Sequence, residues 1–232
     1  MIRTWVASIV PLYEEAFYRL CCGYVPSFRR EKADLMKGEQ ARAQSIGVWI
    51  LYEQMKKKYG LEGDTAYNLS HSGEYVLCSV STEQNIKVGC DIEQMREPNL
   101  KIAGRFFCPS EYEQIVRESR PALQQELFYR YWVLKESFAK ATREGLALGM
   151  DTFEIVLGSP SVLVRQPEKY PESYHYREGA LYGGRLVLPN IGTGGPKGEE
   201  CGENAGSGMY RIAVCSTDSL IEEIIQTDIT DL

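Results

Sequence analysis

Two short runs hold side chains of the types and spacings that do chemistry. In Lys87–Glu93 (KVGCDIE), Asp91 and Glu93 stand two positions apart. Side chains alternate along an extended strand, so both carboxylates leave one face while Cys90 and Ile92 enter apolar packing on the other. Gly89 lets another backbone or a ligand come close. In Trp132–Lys140 (WVLKESFAK), Glu136 and Lys140 are four apart, and Trp132 lies one turn earlier. On a helix the three share a face. Three carboxylates without histidine suit a hard divalent cation such as magnesium, and the neighbouring lysine suits an anionic substrate. Each run alone has a plainer reading. Asp-x-Glu on a strand is usually a solvated edge, and a Glu/Lys pair on a helix surface is worth about 0.3–0.5 kcal/mol. The combination carries the argument.

A third run, Ala66–Ser81 (AYNLSHSGEYVLCSVS), reads as two strands around a polar Ser70–Gly73 turn. Its hydroxyls, imidazole and backbone N–H groups are anion-binding equipment. A Ser–His hydrolase is the weaker reading. Ser70 and His71 are adjacent, no G-x-S-x-G elbow exists, and the other histidine is His175.

Taken in order, NLSHSG, VGCDIE, RFFCPSEYEQI and WVLKESFAK resemble the 4′-phosphopantetheinyl transferases, in particular the longer, surfactin-synthetase-activating type that serves nonribosomal peptide and polyketide synthases. The resemblance runs from about Ser27 to about Phe153, and 45 positions separate Asp91 from Glu136. It implies an α+β fold of two similar halves related by a pseudo-twofold axis, residues 1–100 and 101–232, with coenzyme A in the cleft between them. It implies transfer of the phosphopantetheine arm of coenzyme A to a serine of an apo acyl or peptidyl carrier protein, with release of adenosine 3′,5′-bisphosphate. By the same resemblance Asp91, Glu93 and Glu136 hold magnesium, and Lys140 binds phosphate oxygens. Glu136 or a metal-bound water is the candidate base. Ser70 and His71 contact the nucleotide end. Arg42, in the RAQSIG run, is the first candidate cation for the 3′-phosphate, with Arg29 and Lys32 next; a solvated helix face is the plainer reading of those two. The chain departs from the family in lacking a G-K-P segment before the SHS run, where it has Lys58–Asp64 (KYGLEGD). Cys90 stands where Ile or Val is common and reads as apolar packing.

The elements that must position these residues are legible in outline. Strands are predicted at Ile2–Val10, Ala66–Leu69, Tyr75–Ser81, Lys87–Ile92, Thr152–Leu157, Val162–Val164, Arg185–Leu188 and Tyr210–Ser216. Helices are predicted at Leu12–Cys21, Glu31–Lys58, Leu100–Phe107, Ser110–Glu118, Leu123–Ala141 and, closing the chain, Ser219–Gln226. Ser110 with Glu113 fits a capping box. Pro189–Gly208, rich in glycine with two prolines, reads as a loop-like insert.

Composition fits an enzyme better than a nucleic-acid or membrane protein. In 232 residues, 11% are aromatic and 25% charged, ordinary values for a globular chain. A net charge of −6 argues against nonspecific nucleic-acid binding. Carrier proteins are usually acidic, so Arg96, Lys101, Arg105, Arg117, Arg120 and Arg130, with Phe106 and Phe107, are read as a candidate basic platform. Seven cysteines without a zinc-like spacing suit reduced thiols. With no signal-peptide-like start and no long apolar run, the expectation is a cytoplasmic monomer. The competing readings are a coenzyme A-binding protein of the same fold without transferase activity, a magnesium-dependent phosphohydrolase, and an interaction module.

Overall fold

The computed structural model describes residues 1–61, 63, 65–188 and 208–231. In chain order they form β1 (Ile2–Ser8), α1 (Glu15–Tyr24), α2 (Ser27–Asp34), α3 (Glu39–Tyr59), β2 (Tyr67–Ser72), β3 (Tyr75–Ser81) and β4 (Val88–Gln94). Then follow α4 (Leu100–Phe106), α5 (Pro109–Arg117), α6 (Pro121–Ala141), β5 (Glu154–Val156), β6 (Val162–Arg165), β7 (His175–Tyr182), β8 (Arg185–Val187), β9 (Tyr210–Ser216) and β10 (Ile221–Gln226). The fold is mixed α+β. One sheet runs β10-β1-β3-β2, a second runs β4-β9-β7-β8, and β5 and β6 form a small ribbon.

Strand periodicity builds the layers. In β3, Val76, Cys78 and Val80 join a core with Ile46, Ile50, Leu51 and Met55 of α3. The alternate residues Tyr75 and Leu77 face the second sheet, in a core with Cys90, Ile92, Ile212 and Val214. The other face of that sheet, through Ala213 and Cys215, packs against Val133, Leu134 and Phe138 of α6. The order is therefore helix, sheet, sheet, helix. Cys90 and Ile92 point into the sheet–sheet core as predicted, which turns Asp91 and Glu93 toward α6.

Several elements differ from the sequence reading. The run 31–58 is two helices, because the chain turns at Leu35–Gly38, where Gly38 has φ +93°. Ser70–Ser72 belong to strand β2, and the turn is at Gly73–Glu74. The N-cap of α5 is Cys108, whose N–H donates to Glu111 at 2.9 Å, and not Ser110. β7 was not predicted. The closing segment is not a helix: β10 pairs in parallel with β1. β4 lies in the second sheet and β10 in the first. The glycine-rich insert, apart from Gly208, lies outside the described residues. Among the described residues no helix is long and apolar enough to cross a membrane.

Candidate functional site

Gly89 explains why the two acidic runs meet. A Cβ there would stand 2.0 Å from the Ser137 carbonyl oxygen and 2.4 Å from the Ala141 nitrogen. The backbone of α6 thus lies directly on β4, a contact only glycine allows. Trp132, Glu136 and Lys140 are the half-buried positions in an otherwise buried stretch of α6 from Tyr131 to Ala141. Helical spacing puts them on one stripe, and the Gly89 contact sets that stripe's C-terminal end against Asp91.

The Lys140 ammonium donates to Asp91 Oδ1 at 2.7 Å and to Ser70 Oγ at 2.9 Å. Ser70 donates to the same Asp91 oxygen at 2.9 Å, and Ser72 donates to Glu93 Oε2 at 2.8 Å. Asp91 Oδ2 is buried without a hydrogen-bond partner. An orphaned carboxylate oxygen is costly unless something not present in the chain itself completes it.

The electrostatics point the same way. Burial, then the charges of Asp91 and Glu136, push Glu93 up from 4.5 to about 7, against the Ser72 hydrogen bond and Lys140. Burial and Asp91 likewise raise Glu136, with Lys140 opposing. Burial pulls Lys140 down, but Asp91, Cys90 and Glu136 outweigh it and its pKa lies above the ordinary lysine value. Three carboxylates feel one another, and one lysine does not neutralise them. Among the described residues, no three His, Cys, Asp or Glu side chains are gathered closely enough to enclose a metal ion as they stand, and Asp91 Oδ1 is held by the Lys140 ammonium.

Next to this acidic group is a basic one. His71 is solvent-exposed on β2, and its pKa is lowered by partial burial and by the charges of Lys140, Lys32 and Arg29. The Arg29 guanidinium lies 4.6 Å over the Trp49 ring, its Nε buried without a partner, and burial lowers its pKa. Arg29 and Lys32 therefore gather with His71 and Lys140. Arg42 does not: it lines a small cleft with Glu15, Asp34 and Glu39. Ser70 is buried and committed to Asp91, Lys140 and the Ile92 N–H. In the expected basic platform, Phe107 is a core residue, Arg130 is held by Glu178 at 2.6 Å, and Arg117 and Arg120 pair with Glu113 and Glu118. Arg96, Lys101 and Arg105 are exposed. Cavity volume does not find this site. A cleft of about 510 Å³, lined among others by Pro160, Leu163, Tyr174 and His175, includes none of its residues.

Lys135 and Glu111 escaped the sequence reading. They form a wholly buried ion pair at 2.8 Å that ties α6 to α5. Lys135 also donates to the carbonyls of Met150 and Phe153 at 2.7 and 2.8 Å. Glu111 in turn accepts from the Cys108 and Ile155 N–H groups at 2.9 and 2.8 Å. The lysine of the W-x-x-K-E-S run thus holds the helix that carries Glu136. The one local signal was its place among apolar residues.

Residues 87–188 match the family model of the 4′-phosphopantetheinyl transferase superfamily. A curated 4′-phosphopantetheinyl transferase of Bacillus subtilis is 39% identical over 138 residues, 51% of this chain and 60% of the relative. 4′-Phosphopantetheinyl transferase Sfp of Bacillus subtilis (strain 168) is 34% identical over 112 residues, 48% of each chain. 4′-Phosphopantetheinyl transferase gsp of Aneurinibacillus migulanus is 33% identical over 127 residues, 53% of this chain and 52% of the relative. The chain spans about half the length of the curated relatives it matches. Asp91, Glu93, Glu136 and Lys140 all fall inside the 87–188 segment, the part of the chain that is similar to the 4′-phosphopantetheinyl transferase superfamily.

Proposed function

We propose that this protein transfers the 4′-phosphopantetheine arm of coenzyme A to a serine of an apo acyl or peptidyl carrier protein. The observation that carries the reading is the junction of Lys140 with Asp91, with Glu93 and Glu136 beside it and His71, Arg29 and Lys32 next to them. Such a site offers acid and base side by side, as attack on a pyrophosphate requires.

Lys140 neutralises oxygens of the pyrophosphate. His71 holds the 3′-phosphate together with Arg29 and Lys32, whose charges it already feels. Glu136, with its raised pKa, accepts the proton of the carrier serine. The serine oxygen bonds to the phosphorus that bears the pantetheine arm. The bond to the second phosphate breaks, and adenosine 3′,5′-bisphosphate leaves with the electron pair. The donor set fits magnesium: hard carboxylate oxygens, two of the three carboxyls raised by mutual repulsion and burial, and an orphaned Asp91 Oδ2. Asp91, Glu93 and Glu136 would hold it, and when bound it supplies charge neutralisation at the phosphates.

The chain is read as one catalytic unit of two related halves, 1–100 and 101–232, about a pseudo-twofold axis, with β4 and β10 exchanged. In support, each large sheet carries one 21-residue helix, α3 or α6. A monomer in the cytoplasm is the expected setting, in keeping with the free thiols of the six cysteines among the described residues. Intact-mass analysis of an apo carrier incubated with the protein, coenzyme A and magnesium, beside an EDTA control, tests the proposal. A gain of one phosphopantetheine group, absent with EDTA, is expected. Bisphosphate release without a carrier would indicate a phosphohydrolase. Bound coenzyme A with no gain on acyl and peptidyl carriers would indicate a binding protein.

A further inference from the structure

β2 and β4 are edge strands of different sheets, and among the described residues no backbone ladder joins them. Side chains of β2 take its place. Asn68 Oδ1 accepts from the Cys90 N–H at 2.9 Å, Ser70 Oγ from the Ile92 N–H at 3.3 Å, and Ser72 Oγ from the Gln94 N–H at 3.1 Å. The period of two on one strand matches the period of two on the other, so N-x-S-x-S makes a three-rung seam. The two serines differ from Asn68 in a second bond. Each donates to a carboxylate of β4, Ser70 to Asp91 and Ser72 to Glu93. A hydroxyl can do both at once, with one proton to give and lone pairs to receive.

We propose that Ser72 is a positioning residue for Glu93, as Ser70 is for Asp91. Each serine grips the carboxylate and the N–H that follows it, fixing a flexible side chain against the strand before any cation arrives. The inference rests on the reading of Asp91, Glu93 and Glu136 as a divalent-cation site. Ser70 also receives Lys140, so its removal changes several contacts together. Ser72 touches one carboxylate and is the cleaner probe. A held ligand loses less side-chain freedom on binding, and groups that orient metal ligands commonly set affinity by tenfold or more.

Manganese(II), an oxygen-seeking stand-in for magnesium, is titrated into the metal-free protein while free ion is followed by electron paramagnetic resonance. Wild type, Ser72→Ala, Ser72→Cys, Ser72→Thr, Asn68→Ala and Glu93→Gln are compared. The expected result is about tenfold weaker binding by Ser72→Ala and by the near-isosteric Ser72→Cys. Ser72→Thr, which keeps the hydroxyl, should bind as wild type does. Asn68→Ala breaks a rung without touching a carboxylate and should leave affinity within about twofold, which a purely structural seam would not. Equal losses in Asn68→Ala and Ser72→Cys, or none in Ser72→Cys while Glu93→Gln is weakened, would overturn the positioning role alone. No manganese binding by wild type would overturn the cation-site reading and this inference with it.

Discussion

Helix α6 carries two lysines five residues apart, each bonded to a carboxylate at nearly the same distance, 2.8 Å for Lys135 and 2.7 Å for Lys140. Their surroundings differ. Both side chains of the Lys135–Glu111 pair are fully buried, whereas Lys140 keeps 26% of its side-chain surface. An ammonium has three donors. Those of Lys135 meet Glu111, Met150 and Phe153, with the Cys108 sulfur at 3.8 Å as a fourth neighbour. Lys140 has two such partners among the described residues, Asp91 and Ser70, and is partly open to solvent. The pair with every bond satisfied fixes the position of the helix; the pair with capacity remaining is where an anion can bind. Residue type and ion-pair distance do not separate these roles, while burial and donor saturation do.

The sharpest way to break the comparison is Lys135→Met. It leaves Glu111 buried and unpaired, and chemical denaturation should show a loss of about 3–5 kcal/mol. Adding Glu111→Leu should recover part of this, and only part, because Glu111 also serves the N–H groups of Cys108 and Ile155. Next in size is Glu136→Gln, on the open side of the same helix. Loss of a proton acceptor and cation ligand should slow carrier modification by about 10²–10⁴, with the denaturation midpoint no lower than wild type. His71→Ala should raise the KM for coenzyme A about tenfold, with kcat nearly unchanged, if it serves the nucleotide end. An intact KM would remove His71 from that role.

The smallest effect is on pH dependence. Folding raises Glu93 from 4.5 to about 7, so the folded state holds the proton more tightly than the unfolded chain. Its contribution to stability is complete below about 4.5 and is lost as pH rises through about 7. The melting temperature of the protein in EDTA should therefore fall across that window, and Glu93→Gln should flatten the fall. A cation bound at the carboxylates would reverse the trend above pH 7.

These differences also explain what could be read in the sequence. Asp91 with Glu93, and Glu136 with Lys140, were legible because strand and helix periods convert spacing directly into a shared face. Gly89 was legible in kind, as a place of close approach, although only the fold shows that α6 fills it. Lys135 was not, since its partner Glu111 lies in another helix 24 positions earlier and a place among apolar residues does not by itself mark an ammonium as buried. Within Ser219–Gln226, read as a helix, Ile221, Ile224 and Ile225 have a three-four spacing that suits one. Residues 221–226 form a strand whose register against β1 shifts between Ile2 and Thr4, and this places Ile221 and Ile224 together in the core. β7 was hidden by Arg177, Glu178 and Gly179. In the fold Glu178 is buried against Arg130 and Ser161, and Gly179 lies beneath Ile224. Tertiary partners make a strand of residues whose local pattern does not.

The most direct test is the initial rate at which Lys140→Met modifies an apo carrier, with a denaturation curve on the same sample to establish that it is folded. The account predicts a folded protein, destabilised less than Lys135→Met, whose rate falls by at least about 100-fold. A folded Lys140→Met that modifies the carrier within about threefold of wild type would contradict the assignment of Lys140, and of the junction it forms with Asp91, as the centre of the reaction.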